Sequence, residues 1–142
     1  ISSQDAREAF NIDAEPAAVW AVLTDPDRLL AAGAGITRIE GRIEQSSTFT
    51  LWSDAVPGRG FKTRVSQFQA PNRMMWEGGL PAGLFRGVRT FTLAATDGGT
   101  DFVMREEFTG LLLPLIWRTM PDLQQSFDAF ADGLARASGS SR

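Results

Sequence analysis

The sequence predicts an α+β fold: a curved seven-stranded antiparallel β-sheet around a long C-terminal α-helix, with two short helices after the first strand. Three observations predict it. From Ile36 to Phe108 apolar residues recur at strand period, broken at short intervals by turn chemistry. Strands joined by such short turns run antiparallel. After Pro121, Leu123, Phe127, Phe130 and Leu134 recur at helical spacing, leaving one apolar stripe that the sheet is available to cover.

Each element has its own signal. Ala6, Glu8, Phe10 and Ile12 alternate with Arg7, Ala9 and Asn11, which is the period of a strand. The stretch AEPAAVWAVLTDPDRLLAAG then changes period: Pro16 suits a first helical turn, and Val19, Trp20 and Leu23 make one apolar side. Asp25-Pro26 interrupts the helix, because a residue before proline avoids the helical region. A second short helix runs to about Ala32, with Gly33 and Gly35 ending it. Strands follow near 36–45, 48–54, 61–70, 73–78, 85–95 and 100–109. Their separators are Gln45-Ser46-Ser47, Pro57-Gly58-Arg59-Gly60, Pro71-Asn72, Gly78-Gly79 with Pro81 and Gly83, and Asp97-Gly98-Gly99. The closing helix should be about 16 residues long. Residues 1–137 are expected to form a single domain, and Ser138–Arg142 (SGSSR) a disordered tail.

Composition narrows the chemistry. A chain of 142 residues suits one domain, and 43% hydrophobic with 22% charged residues is near the globular average. The net charge of −3, with basic residues scattered singly, argues against a nucleic-acid partner. The sequence has no Cys, His or Tyr, which removes disulfides, thiol nucleophiles, imidazole bases and the usual zinc ligands. No metal and no cofactor is expected, and a Ser-His-Asp triad is impossible. No stretch approaches the roughly 20 apolar residues of a membrane helix. Ile1 to Phe10 is too charged for a signal peptide. The expectation is a soluble, cytoplasmic protein without stable membrane insertion.

The last two strands carry the sharpest question. With the loop at Thr96–Gly99 and Ala95 opposite Thr100, Arg89 falls opposite Glu106, Phe91 opposite Met104 and Leu93 opposite Phe102; a two-residue loop at Gly98-Gly99 would shift the pairing by two and keep all these residues on one face. Arg89 and Glu106 are then the charged pair on an apolar face. An arginine alone in such a place is costly, and a facing carboxylate offsets that cost. The pair is either a structural couple, a polar anchor for a ligand, or exposed on the sheet's other side. Phe49, Leu51, Phe61, Val65, Met74, Trp76, Phe85, Phe91, Phe102, Met104 and Phe108 can share that face with Phe127 and Phe130, as a closed core or as the lining of a site. LPAGLFRG (Leu80–Gly87) and GLLLPLIW (Gly110–Trp117) are apolar segments with Gly and Pro hinges. They suit a gate in which Leu112, Leu115, Ile116 and Trp117 touch an entering ligand, a loop packed on the domain, or a homodimer contact. Asp25, Asp27 and Glu107 are poor candidates for acid/base work, since Glu107 points away from Glu106. The glycines at 58–60 and 78–79 are read as turns, not phosphate loops.

The order of elements resembles the START-like, or helix-grip, fold of the SRPBCC superfamily, and within it the polyketide cyclase/dehydrase-like group. The residues that carry the resemblance are FNIDAEPAAVWAVLTDPDRL, APNRMMWEGG before GLFRGVRTFTL, GGTDFVMREEFTG and the closing FDAFADGLA. They span nearly the whole chain and are structural signatures, not catalytic motifs. The resemblance implies a cavity between helix and sheet that holds an apolar or aromatic small molecule. It implies no single reaction. Rieske-type oxygenases of that superfamily need a His-containing metal triad, which this sequence cannot supply. Its aromatic polyketide cyclases often use Arg, Tyr or His, of which only Arg is available.

The reading that follows is a binder of a small hydrophobic or aromatic ligand, lipid- or polyketide-like. Its site would draw on Phe49, Leu51, Phe61, Val65, Met74, Trp76, Phe85, Arg89, Phe91, Met104, Glu106, Phe108, Trp117, Phe127 and Phe130. The rival is a cofactor-independent cyclase or dehydratase in which Arg89 polarises a carbonyl and Glu106 moves a proton. A third reading is a non-catalytic protein-interaction module with a packed interior.

Overall fold

The computed structural model describes residues 4–33, 35–53, 58, 60–80, 82–115 and 123–138, and the side chains of 7–33, 35–52, 58, 60–79, 82–115 and 128–138. β1 (Gln4–Ile12) is followed by α1 (Pro16–Leu23) and α2 (Pro26–Ala31). Then come β2 (Ile36–Glu40), β3 (Thr48–Ser53), β4 (Gly60–Gln69), β5 (Arg73–Leu80), β6 (Phe85–Thr96) and β7 (Gly99–Thr109). The closing helix, α3, runs Leu123–Ser138 and has the expected length of 16 residues. The strands form one seven-stranded antiparallel sheet in the order β1-β7-β6-β5-β4-β3-β2.

The helices are placed by local chemistry. Pro16 opens α1, which buries Val19, Trp20, Val22 and Leu23. Asp25 does more than end that helix. Its carboxylate accepts hydrogen bonds from the backbone N–H of Asp27 at 3.0 Å and of Arg28 at 3.3 Å, so it is the N-cap of α2. At the other end of α2, Arg136 of α3 donates Nη2–H to the carbonyl of Ala32 at 3.1 Å. This satisfies a helix-terminal carbonyl and ties α3 to α2.

The helices cover the concave face of the sheet. Ile12, Phe49, Val65, Met74, Phe91, Leu93, Phe102 and Met104 are buried there with Val19 and Leu23 of α1 and with Phe130 and Leu134 of α3. Each such large side chain contributes roughly 1.5–3 kcal/mol over its exposed state. The side chains of Leu123 and Phe127, expected on the same stripe, lie outside the described residues.

Three boundaries differ from the sequence reading. β2 stops at Glu40, short of position 45, because Gly41 turns the chain with φ +113°. A Cβ there would come within 2.9 Å of the Phe49 Cβ, so the position takes only glycine. Gly78-Gly79, read as a turn, instead belongs to β5, paired with Gly87 and Arg86. Gly79 has φ +140° and a Cβ on it would meet the Phe85 carbonyl at 2.3 Å, so here glycine marks close strand approach. Ser138, assigned to the tail, is the last residue of α3 and is buried, its hydroxyl donating to the Leu134 carbonyl at 2.5 Å. Residues 139–142 lie outside the described residues.

Candidate functional site

The hairpin of β6 and β7 sets the register of the site. Thr96 pairs with Gly99 around Asp97-Gly98, and the ladder continues through Leu93↔Phe102 and Phe91↔Met104 to Arg89↔Glu106. β5 lies on the other side of β6, with Trp76 opposite Arg89, and β4 follows with Val65 opposite Trp76. One row across four strands therefore reads Val65, Trp76, Arg89, Glu106. Cross-strand partners share a face, so all four side chains lie on the side that α3 covers.

Arg89 and Glu106 are paired as expected. Nε–H and Nη2–H of Arg89 donate to the same carboxylate oxygen, Oε1 of Glu106, at 2.8 and 2.5 Å. The side chains are 22% and 16% exposed. The contact is side-on: both donors converge on Oε1, and Oε2 receives neither bond. The room for this comes from Gly87, whose Cβ, if it had one, would lie 3.2 Å from Oε2 and 3.4 Å from the Phe108 ring. Phe130 of α3 lies over the pair, its ring centroid 5.7 Å from Cζ of Arg89. Electrostatically the site sets the Arg89 guanidinium and the Glu106 carboxylate on a wall of aromatic rings.

That wall contains most of the residues expected in it. Phe49, Val65, Met74, Trp76, Phe91, Met104, Phe108 and Phe130 are all buried, and Leu51 and Phe85 are half-buried. Trp76 is its centre: Phe49, Phe91 and Phe130 meet the indole edge-on with centroids at 5.1, 4.7 and 6.4 Å. Phe130 also stacks on Phe91 at 5.8 Å, and Phe85 on Phe108 at 5.9 Å. Phe61 lies opposite Leu51 near the start of β4 and is 37% exposed. Trp117, Ile116 and the Phe127 side chain lie outside the described residues.

Sequence reasoning missed two features of the site. The Nε1–H of Trp76 is buried without a hydrogen-bond partner among the described residues. Glu8 on β1 lies opposite Met104 and so shares the inner face, a position readable from the alternation of β1 but not from its own chemistry. The acids set aside as catalysts have other positions: Asp25 caps α2, and Glu107 is exposed beside Arg105 on the outer face.

The two apolar hinge segments meet at one edge of this wall. The N–H of Leu111 donates to the Gly83 carbonyl at 3.1 Å and that of Leu112 to the Leu84 carbonyl at 2.8 Å. Leu113 is buried, whereas Leu111 and Leu115 are exposed. Among the described residues no group of acids could hold a metal ion, and no helix is long and apolar enough to cross a membrane.

Comparison with known proteins agrees with this architecture. A family model described as polyketide cyclase / dehydrase and lipid transport matches residues 3–139. No curated protein matches the sequence. Among solved structures, a Mesorhizobium loti protein superposes with TM-score 0.74 at 20% identity, covering 94% of this chain and 96% of that one. A Staphylococcus aureus protein of unknown function gives 0.75 at 11% identity, with 99% and 96% covered. Norcoclaurine synthase from Thalictrum flavum, solved in complex with dopamine and hydroxybenzaldehyde, gives 0.70 at 11% identity, with 95% and 86% covered. At these identities the likeness is one of fold.

Proposed function

The chain belongs to the polyketide cyclase/dehydrase and lipid transport family, and from that premise we propose that it binds a small hydrophobic or aromatic molecule, lipid- or polyketide-like, between the sheet and α3. One observation carries this reading: an ion pair, Arg89–Glu106, set into the aromatic wall at 22% and 16% exposure. A pair in that place gives an apolar ligand one polar end to orient against. A synthase of the same fold is solved with dopamine and hydroxybenzaldehyde, both small and aromatic, which supports the ligand class. The test is titration with the fluorescent probe anilinonaphthalene sulfonate. Saturable one-site binding is expected, weakened by Gly87→Phe, which puts a ring against Glu106 and Phe108, while the chain stays folded. Binding unchanged by that substitution would locate the probe outside and overturn the reading.

The same pair supports a second reading, a cofactor-independent cyclase or dehydratase. Arg89 would polarise a carbonyl, and Glu106, with Oε2 outside the bonds from Arg89, would move a proton. Turnover of a polyketide-like substrate lost on Glu106→Gln, with ligand binding kept, separates catalysis from carriage.

A further inference from the structure

Trp76 is 5% exposed, and its Nε1–H has no acceptor among the described residues. Indole nitrogen is a donor only, so nothing but an acceptor satisfies it. Buried side-chain donors are nearly always paired, and an exception needs a cause. The neighbours do not provide one. Phe49, Phe91 and Phe130 surround the ring edge-on and contribute no oxygen. Arg89, directly opposite on β6, has donors only. The acceptor in the row, Glu106, is engaged with Arg89 through Oε1.

We propose that the Trp76 Nε1–H is a ligand-binding donor, and that the molecule bound beside it is an apolar or aromatic compound carrying a carbonyl or similar acceptor oxygen. The proposal rests on the ligand-binding reading of this interior and names the chemical class it selects. A donor-only indole next to a guanidinium attracts a neutral or anionic oxygen. An ammonium group has no lone pair to offer, so an amine nitrogen leaves the indole unpaired. A hydrocarbon of the same shape is accepted by the aromatic wall but leaves the indole unpaired, and therefore binds less tightly.

The experiment compares acetylnaphthalene with ethylnaphthalene, two probes of one shape that differ in the carbonyl oxygen. The readouts are affinity and the indole N–H resonances of the protein, with Trp76 identified by Trp76→Phe or, by elimination, by Phe variants of the other tryptophans. The ketone should bind about three- to tenfold more tightly than the hydrocarbon, the worth of one net hydrogen bond. It should also move the Trp76 resonance downfield. Trp76→Phe, which keeps one aromatic ring and loses the donor with the second ring, should abolish that preference; the readout is the ratio of the two affinities, not either affinity alone. Equal affinities with an unmoved resonance overturn the proposal and assign the N–H to an internal water or to a phenyl face, while leaving the ligand-binding reading intact. A preference that survives Trp76→Phe also overturns it, by placing the oxygen elsewhere. Failure of both probes to bind overturns the ligand-binding reading, and this inference with it.

Discussion

Replacing one partner of the Arg89–Glu106 pair takes its ion-pair partner from the other, beside an aromatic wall. For a fully buried pair such a loss costs about 3–5 kcal/mol. Two features of this contact lower the figure. The side chains retain 22% and 16% exposure, so water reaches them, and both donors converge on Oε1 without forking onto two oxygens. We expect Arg89→Met and Glu106→Leu each to cost about 2–3 kcal/mol. The double substitution removes both charges beside Phe130 and Phe108 and should cost about 1 kcal/mol, which makes the coupling between the two sites about 4 kcal/mol. Urea unfolding followed by tryptophan fluorescence measures all three, given an unchanged slope. Single variants within about 0.5 kcal/mol of the parent, as for ordinary surface substitutions, would refute the argument by showing both charges effectively in water. A double variant that is stable but no longer binds anilinonaphthalene sulfonate would make the pair an anchor. One that binds as before would make it scaffold.

Two further outcomes follow from the packing and the outer face. Phe130→Ala removes a buried ring that touches Phe91, Trp76 and Arg89, and should cost about 3–5 kcal/mol by thermal or urea unfolding; a loss under about 1 kcal/mol would mean that the ring borders open space. Glu77 is held below the ordinary carboxylate value chiefly by a hydrogen bond from Arg86, opposed by burial and aided by the Ser66 hydroxyl at 2.9 Å. A depressed carboxylate adds stability above its unfolded value near 4.5 and loses it as pH falls through the folded value, so Glu77→Gln should flatten the acid limb of the stability–pH curve below that point, and an unaltered limb would refute the assignment.

The shared face of β6 and β7 was legible because strand period fixes it under either turn, Asp97-Gly98 or Gly98-Gly99; the register depends on which turn forms, and with Thr96 paired to Gly99 it sets Arg89 opposite Glu106. The helix stripe was legible for the same kind of reason, a fixed spacing with one face to bury. Phe61 shows where such reasoning stops. Alternation says which face a side chain takes, but not how deeply it is covered there: Phe49 is buried, whereas Phe61 is 37% exposed. Gly78-Gly79 misled because turn glycine and close-approach glycine are the same residue in sequence; the Phe85 carbonyl that requires Gly79 belongs to the neighbouring strand. The Trp76 N–H was invisible for a further reason. Whether a donor is satisfied depends on every neighbour at once, here three phenylalanines from β3, β6 and α3.

In the sheet order, every strand neighbours its successor in sequence except β1, which pairs only with β7. Pairing β1 with β7, from Ile12↔Thr100 to Gln4↔Phe108, closes a loop through most of the chain and is the most entropically demanding pairing in the sheet. During synthesis the first strand therefore leaves the ribosome long before its partner exists. Phe10 cannot reach the Phe102 ring against which it packs at 5.0 Å until β7 has emerged. The five-stranded meander from β2 to β6 can zip as it appears, whereas β1 waits as an unpaired edge with apolar side chains bare. A nascent chain of this protein is thus most prone to wrong partners at β1, and β7 is the strand that ends that exposure.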